Sequence, residues 1–593
     1  MRNQVIKKYF QWAVLVFAGV LAVSCSNDDK GGEPETNSNN ASKGLQFKVE
    51  FSDYNTDTEV QATRTGKSSS DTLSKKIVDL GNGLLAEMTI QRDTTKTITS
   101  REQTRALENG TYTMLAYQGG VYKGEVTGTV ESHSYPTGAL DQWGNPIYAW
   151  GTFFHYANDQ ALELEPGTYD FVLYNNKVTR NGNELSVAYN NRETALVART
   201  THTLTATPKH QQITFQMKHV GSRLRYKWIS YAPIQNPVAT LNQTNPLTAR
   251  YDATTGNWST SGTLSISTDK MVLTSTTTPD NEGRCTATSS YIYYMPATYF
   301  GDQSFTMGSY QAQESTTYNE PINIEGSPSD FATESDFAPN TSHLITFKIL
   351  LNKAWYLMSD GSIGGIGQTT FAGGTKTPIA VVVSRSQKLA VALQDAAEGD
   401  VNWSSNTAHV FHQINFFMWP YTPPTTVFND MNGYKYTWEP SGSIDNTTIK
   451  ANSKEDFPAF YYAGHYGDKL AAKGITVGGK LVGRKWHLPS DGEWKYVLTG
   501  LGGVNAASLS YNPFQQATWK GFDAEVFFLQ VGGNLQKDVY NRFWTSGEFN
   551  TISGGGIHFT FRRYSNPIEM TFGWSWQLKN YPQRARAFIK YDD

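Results

Sequence analysis

The sequence predicts a mainly β protein, with two antiparallel β-sandwiches followed by an α+β unit. Three observations lead there. Short segments with period-2 apolar alternation recur from residue 45 to residue 352, separated by Gly, Pro and Asn turn signals. Charged residues make up only 17% of the chain and aromatics reach 13%, the profile of an extracellular β-rich protein. Beyond residue 380 the composition changes: tryptophans crowd together and helix signals appear.

The first residues read as an export signal. Arg2, Lys7 and Lys8 form a positive start, and Phe10 to Val23 is an uncharged apolar run. It is shorter than the roughly 20 residues a membrane helix needs, and small residues follow it before Cys25. Ala22, Val23 and Ser24 resemble a lipobox, with Leu21 one place early. Residues 1–24 are therefore expected to be a signal peptide, with Cys25 acylated in the manner of a bacterial lipoprotein. Ser26, Asn27, Asp28 and Asp29 resemble the acidic signal that sends lipoproteins to the outer face of the outer membrane. Residues 25–42 are polar and read as a flexible tether.

Leu45, Phe47, Val49 and Phe51 alternate with Gln46, Lys48 and Glu50, a strand with one buried face. The segments LLAEMTIQR, GTYTMLAY, GVYKGEVTGTV and ALELEPGTYDFVLYNN continue the pattern. So do HQQITFQMKHVGSRLRYKWISY, SSYIYYMPATYF and SHLITFKILLN. The expected units are residues 43–205 and 206–352. The glycine-rich stretch within 353–378 reads as a linker. The rest, 379–593, opens with the strand PIAVVVSRS and with QKLAVALQDA, whose apolar spacing is helix-like. In LPSDGEWKYVLTGLGG, Ser490 and Glu493 stand in capping-box spacing, so a helix should begin there and end near Gly500.

With Cys25 acylated, Cys285 has no disulfide partner and is expected to be a buried, inert thiol. The net charge of -3 and the lack of a basic block argue against nucleic acid as a partner. His465 and His487 lack zinc-site spacing and read as packing residues. Asp430, Asn432 and Asp491 have the chemistry to hold an ion, but the same residues are common in turns and caps. No nucleophile elbow or phosphate loop is visible. The expectation is a non-enzyme with no catalytic residue, metal or cofactor.

Two resemblances refine this reading. Residues 43–352 resemble the fimbrillins, the subunits of type V pili. The residues that carry it are LQFKVEF ahead of Arg64, GTYTMLAY, FQMKHVGSRLRYKW (215–228), YMPATYF and PNTSHLITFKI. The pattern around His219, Ser222, Arg223 and Leu224 is the most typical piece. The C-terminal part resembles the FISUMP, or major paralogous, domain, which is similar in fold to C-type lectin domains. Its marks are KWHLPSDGEWKYV (485–497), DMNGYKYTW (430–438), RFWTSGE (542–548) and the closing RARAFIKYDD. The calcium-binding motifs of sugar-binding lectins do not match.

The fimbrillin resemblance implies transthyretin-like sandwiches and assembly by strand exchange with other pilin subunits. The precursor travels as a lipoprotein, a protease cuts after an arginine, and the departing first strand leaves a groove that a neighbour's strand fills. Arg64 is the best-placed cut site, with Arg101 and Arg105 behind it. The outer membrane would hold the chain before processing and the fimbrium after it. The Trp-rich last unit would suit a tip adhesin that accepts a strand and offers none. It would bind a glycan or protein ligand, through an aromatic surface expected at Tyr511, Trp519, Tyr540, Trp574 and Trp576. The alternative is a glycan-binding lipoprotein that stays anchored at Cys25 and never polymerises.

Overall fold

The structure is a computed structural model. It describes residues 45–592 apart from 56–71, 82, 95–109, 158–160, 208–210, 232–237, 273, 277–279, 281–282, 299–303, 308–309, 312–316, 319–336, 406–411, 415, 419–420, 510–515, 520, 537, 550–553 and 564–569. Cys25, Arg64, Arg101, Arg105 and Tyr511 lie outside the described residues.

Seven strands close into a barrel. Around it run Leu45–Phe51, Gln211–His219, Leu196–Leu204, Gly167–Asn175, Thr111–Gln118, Val121–Leu140 and Pro146–Tyr156. The predicted alternation holds in the first strand: Phe47 and Val49 are buried among Phe154, Phe171 and Phe215, while Gln46 faces out. A second sheet carries Cys285–Thr288, Ser222–Ser230, Ser342–Leu351, Leu84–Arg92 and Thr72–Gly81 side by side. Its core is built from alternate residues such as Tyr226, Trp228, Phe347 and Met88. Cys285 is buried there, and burial pushes its thiol up, as expected of an inert cysteine.

The chain path corrects the expected boundary at 205/206. After the first barrel strand the chain enters the second sheet as the hairpin Thr72–Gly81 and Leu84–Arg92. It then returns to the barrel from Thr111 to His219 before crossing again at Ser222. Strand Gln211–His219, expected in the second unit, is a barrel strand. Glu184–Ala188 also pairs with Thr248–Asp252, across the expected boundary. Local alternation reveals strands, but it does not say which sheet a strand joins.

The C-terminal unit is α+β. One sheet orders Ile363–Gly364, Tyr356–Met358, Pro378–Ser384, Leu389–Asp395 and Arg586–Lys590. A second orders Gln516–Trp519, Met570–Leu578, Gly555–Arg563 and Tyr540–Phe549. Short helices surround them, among them Pro424–Asn429, Pro458–Gly464 and Asp491–Tyr496. Strand Arg586–Lys590 pairs with Leu389–Asp395.

Two expectations fail here. QKLAVALQDA is strand, not helix: Leu389–Asp395 lies between two partners and is buried on both faces, so its apolar run does not alternate. The stretch 353–378 is not a free linker. Tyr356, Leu357 and Met358 are fully buried in the sheet, and Ile366 and Ala372 join the core shared with the second sheet. Its glycines serve close approach: a Cβ on Gly374 would lie 2.1 Å from the Gln368 backbone. Gln530 completes the join. It accepts from the Leu351 amide at 2.9 Å and donates to the Leu351 carbonyl at 2.9 Å.

Candidate functional site

Two places combine unusual geometry with chemistry: the seat of the first strand, and a cleft in the C-terminal unit.

The first strand has partners on both sides. It runs parallel to Gln211–His219 in register from Leu45↔Gln211 to Phe51↔Met217, and touches Pro146–Tyr156 at Phe47↔Phe154 and Lys48↔Phe153. Parallel pairing along one side and a two-residue contact on the other close the barrel. The Phe47 ring meets Phe154, Tyr156, Phe171 and Phe215 at centroid distances of 6.0–6.4 Å. Lys48 and Glu50 pair on the outer face at 2.7 Å, which lowers the Glu50 carboxyl below its ordinary range.

Beyond the strand, the chain locks into the crossing between barrel and second sheet. Tyr54 stacks on His219 at 4.4 Å, and the Arg223 guanidinium lies 4.2 Å over the Tyr54 ring. Asn55 adopts a left-handed φ of 64°, which Asn tolerates, and turns its amide inward. Its Nδ2 donates to the Asp93 carbonyl at 3.0 Å and the Ser342 carbonyl at 2.8 Å, while Oδ1 accepts from the Ser342 amide at 3.0 Å. Arg223 also donates to Ser342 Oγ at 2.8 Å. The residues His219, Ser222, Arg223 and Leu224, which carried the fimbrillin resemblance, thus form the crossing itself.

In the C-terminal unit, the capping box is formed as the sequence reads. Ser490 and Glu493 satisfy each other's backbone at the start of helix Asp491–Tyr496, and Glu493 also meets His487 at 3.0 Å. The box sets Asp491 into the wall of a cleft of about 590 Å³. Phe416, Phe417, Val427 and Ile557 supply apolar walls; Asp430, Asn432, Asp491 and Glu548 supply polar ones. Asp430 Oδ1 accepts from the Asn432 amide at 3.0 Å, and Oδ2 accepts from the Tyr436 hydroxyl at 2.8 Å. Glu548 is already committed to Lys579 and to the amides of His412 and Gln413.

Asp491 differs from both. It is only 3% exposed, and its Oδ1 has no hydrogen-bond partner. Burial, then the neighbouring Asp430 charge, holds its carboxyl well above the ordinary carboxylate range. Burial likewise raises Asp430. Gly547 permits the approach, since a Cβ there would lie 2.3 Å from Asp491 Oδ2. The turn and capping roles read from the sequence are real, yet they bring all three residues to one cleft.

The expected aromatic surface does not assemble. Trp574 and Trp519 are 1% and 5% exposed and pack in the core, Trp574 against Phe417 and Phe428, Trp519 against Phe561. Trp576 is half-buried and stacked on Phe549 at 5.6 Å. Tyr540 alone of the four described positions is exposed, with the Arg542 guanidinium 4.7 Å over its ring. Their strands form a two-faced sheet, where period-2 aromatics turn inward. His465 stacks on Tyr461 at 4.2 Å, in keeping with a packing role. Among the described residues, no three metal-type side chains cluster.

No family model and no curated protein matches the chain. Solved structures overlap it in part. A candidate cell adhesion protein from Bacteroides uniformis aligns with a TM-score of 0.26 and 13% identity, over 41% of this chain and 92% of that one. One from Bacteroides ovatus aligns at 0.25 and 10%, over 52% and 91%. The fimbrial anchor protein Mfa2 from Porphyromonas gingivalis aligns at 0.19 and 9%, over 47% and 82%.

Proposed function

We propose that this chain is a fimbrial subunit of the tip type, exported as an outer-membrane lipoprotein through Cys25 and made ready for assembly by a cut after Arg64. The observation that carries the reading is the seat of Leu45–Phe51, a strand that closes the barrel and precedes the segment holding Arg64. Its departure would expose the unpaired edge of Gln211–His219 and the pocket left by Phe47. An incoming strand with apolar residues at matching alternate positions would restore both. Strand Arg586–Lys590 is engaged in its own sheet with Leu389–Asp395 and so is not itself free to be donated. The C-terminal unit, lectin-like by its sequence resemblance, then stands as the ligand-binding head.

The second reading, an anchored lipoprotein that never polymerises, draws on the lock at Tyr54 and Asn55, which holds the first strand in place. Mass spectrometry of surface protein separates the two. An N-terminus at Thr65, lost in Arg64→Ala, is the result expected for the pilus subunit. Uniform retention of acylated Cys25 would instead establish the anchored form.

A further inference from the structure

A buried carboxylate oxygen without a partner is costly, because desolvation disfavours the charged form and hydrogen bonds to the other oxygen offset it only in part. In the cleft this describes Asp491 Oδ1. Asp430 adds a second carboxylate on the same wall: its Oδ1 takes both the amide and the side-chain NH2 of Asn432, while its Oδ2 takes the Tyr436 hydroxyl and can accept a further donor. Glu548 contributes no free charge, being matched by Lys579. Lys495 donates to Asn429, a lining residue, at 3.4 Å. The cleft therefore presents carboxyl oxygens with room for hydrogen-bond donors, and a cation seated there would draw Asp491 into its charged form.

Two kinds of cation would meet that demand. A calcium ion takes about 6–8 oxygen ligands, and among the described residues no group of three metal-type side chains is available. The cleft is also far larger than one ion, at about 590 Å³, and half its surroundings are apolar. An ammonium group needs only three acceptors, and an aliphatic stem behind it would lie against Phe416, Phe417, Val427 and Ile557. The size falls within the ordinary range of small-ligand sites, roughly 300–1,000 Å³.

We propose that this cleft binds a primary ammonium group carried on an apolar stem, with Asp491 and Asp430 as its anionic wall. The proposal rests on the reading of the C-terminal unit as a ligand-binding head, and not on strand exchange. A lysine side chain of a partner protein and a free aliphatic diamine share this chemistry.

Calorimetric titration of the full chain tests it, with cadaverine, Nα-acetyl-lysine methylamide, pentanol and calcium chloride as separate probes. Binding of either amine without pentanol binding is the expected result, and the better amine identifies the source. Asp491→Asn should abolish the heat, and Asp430→Asn should weaken binding roughly tenfold or more, the loss of one charge-assisted hydrogen bond. Near-UV circular dichroism checks that both variants fold; if Asp491→Asn does not, the half-buried Asp430 decides alone. Silence of both amines at millimolar concentration overturns the proposal, as does unchanged binding in Asp430→Asn. Calcium binding that the amines cannot displace overturns it in favour of a metal. Because the uncleaved chain is used, failure here leaves the N-terminus measurement unaffected, and the reverse is equally true.

Discussion

Asp491 illustrates how one residue can serve a fold and oppose it. At the first turn of its helix a carboxylate is favourable, yet burial and Asp430 both raise its affinity for a proton. The native state therefore binds that proton more tightly than the unfolded chain does. Its contribution to stability is full below the ordinary carboxylate range and declines as pH rises toward the raised native value. Asp491→Asn removes this titration. Thermal melts should show the variant gaining on the parent as pH is raised from about 4 to about 8; a constant difference would show the shift to be absent. His343 works the other way. Burial lowers it to about 3, so its contribution is present above about 6.5 and is lost as the pH falls toward 3. Comparing variant with parent cancels the histidine term. At this scale the sequence was informative about types and silent about company. Asp430, Asn432 and Asp491 were recognisable as turn and cap residues, but the cleft draws on four separated segments that no spacing rule connects.

Among elements, the first strand was the most legible and the glycine-rich stretch the least. A strand with one buried face writes its orientation into the sequence, as Phe47 and Val49 do. The strand Leu389–Asp395 is buried on both faces and loses that mark. Glycines at 361–374 look the same whether they confer freedom or permit contact; here Gly361 has a φ of 82° and Gly374 meets the Gln368 backbone. The contacts that hold the end of the first strand lie just past it. Asn55 makes three buried side-chain hydrogen bonds to the second sheet. Asn55→Ala should cost roughly 2–4 kcal/mol, from those bonds and the left-handed backbone together. Hydrogen exchange at residues 45–51 reads the result: faster exchange is expected, and unchanged protection would show that the strand is held by its own ladder alone.

Across the whole molecule the units are not beads on a string. One apolar core runs from Leu84 and Met88 through Tyr356 and Ile366 to Phe528 and Phe588. A fragment beginning at residue 379, where the sequence places the start of the last unit, lacks strand Tyr356–Met358 and bares the edge of Pro378–Ser384. It should aggregate or melt broadly, while a fragment beginning at residue 72 should keep the C-terminal sheet; size-exclusion chromatography with circular dichroism separates these outcomes. The architecture as a set of β-units with an α+β end was readable in advance. The interlacing was not, because it depends on pairings such as His343↔Arg92, distant in sequence and free of any local signature.

The parallel pairing of the first strand has a mechanical side. A pull arriving from the N-terminal side acts on Leu45, while a load on the remaining chain arrives through His219, at the far end of the parallel neighbour. Two parallel strands drawn from opposite ends slide lengthwise, so the seven paired positions from Leu45↔Gln211 to Phe51↔Met217 are strained together rather than peeled in turn. Uncleaved, the barrel thus carries tension as shear across a whole ladder, and a cut in the following loop would leave the strand held by those pairs and the Asn55 contacts.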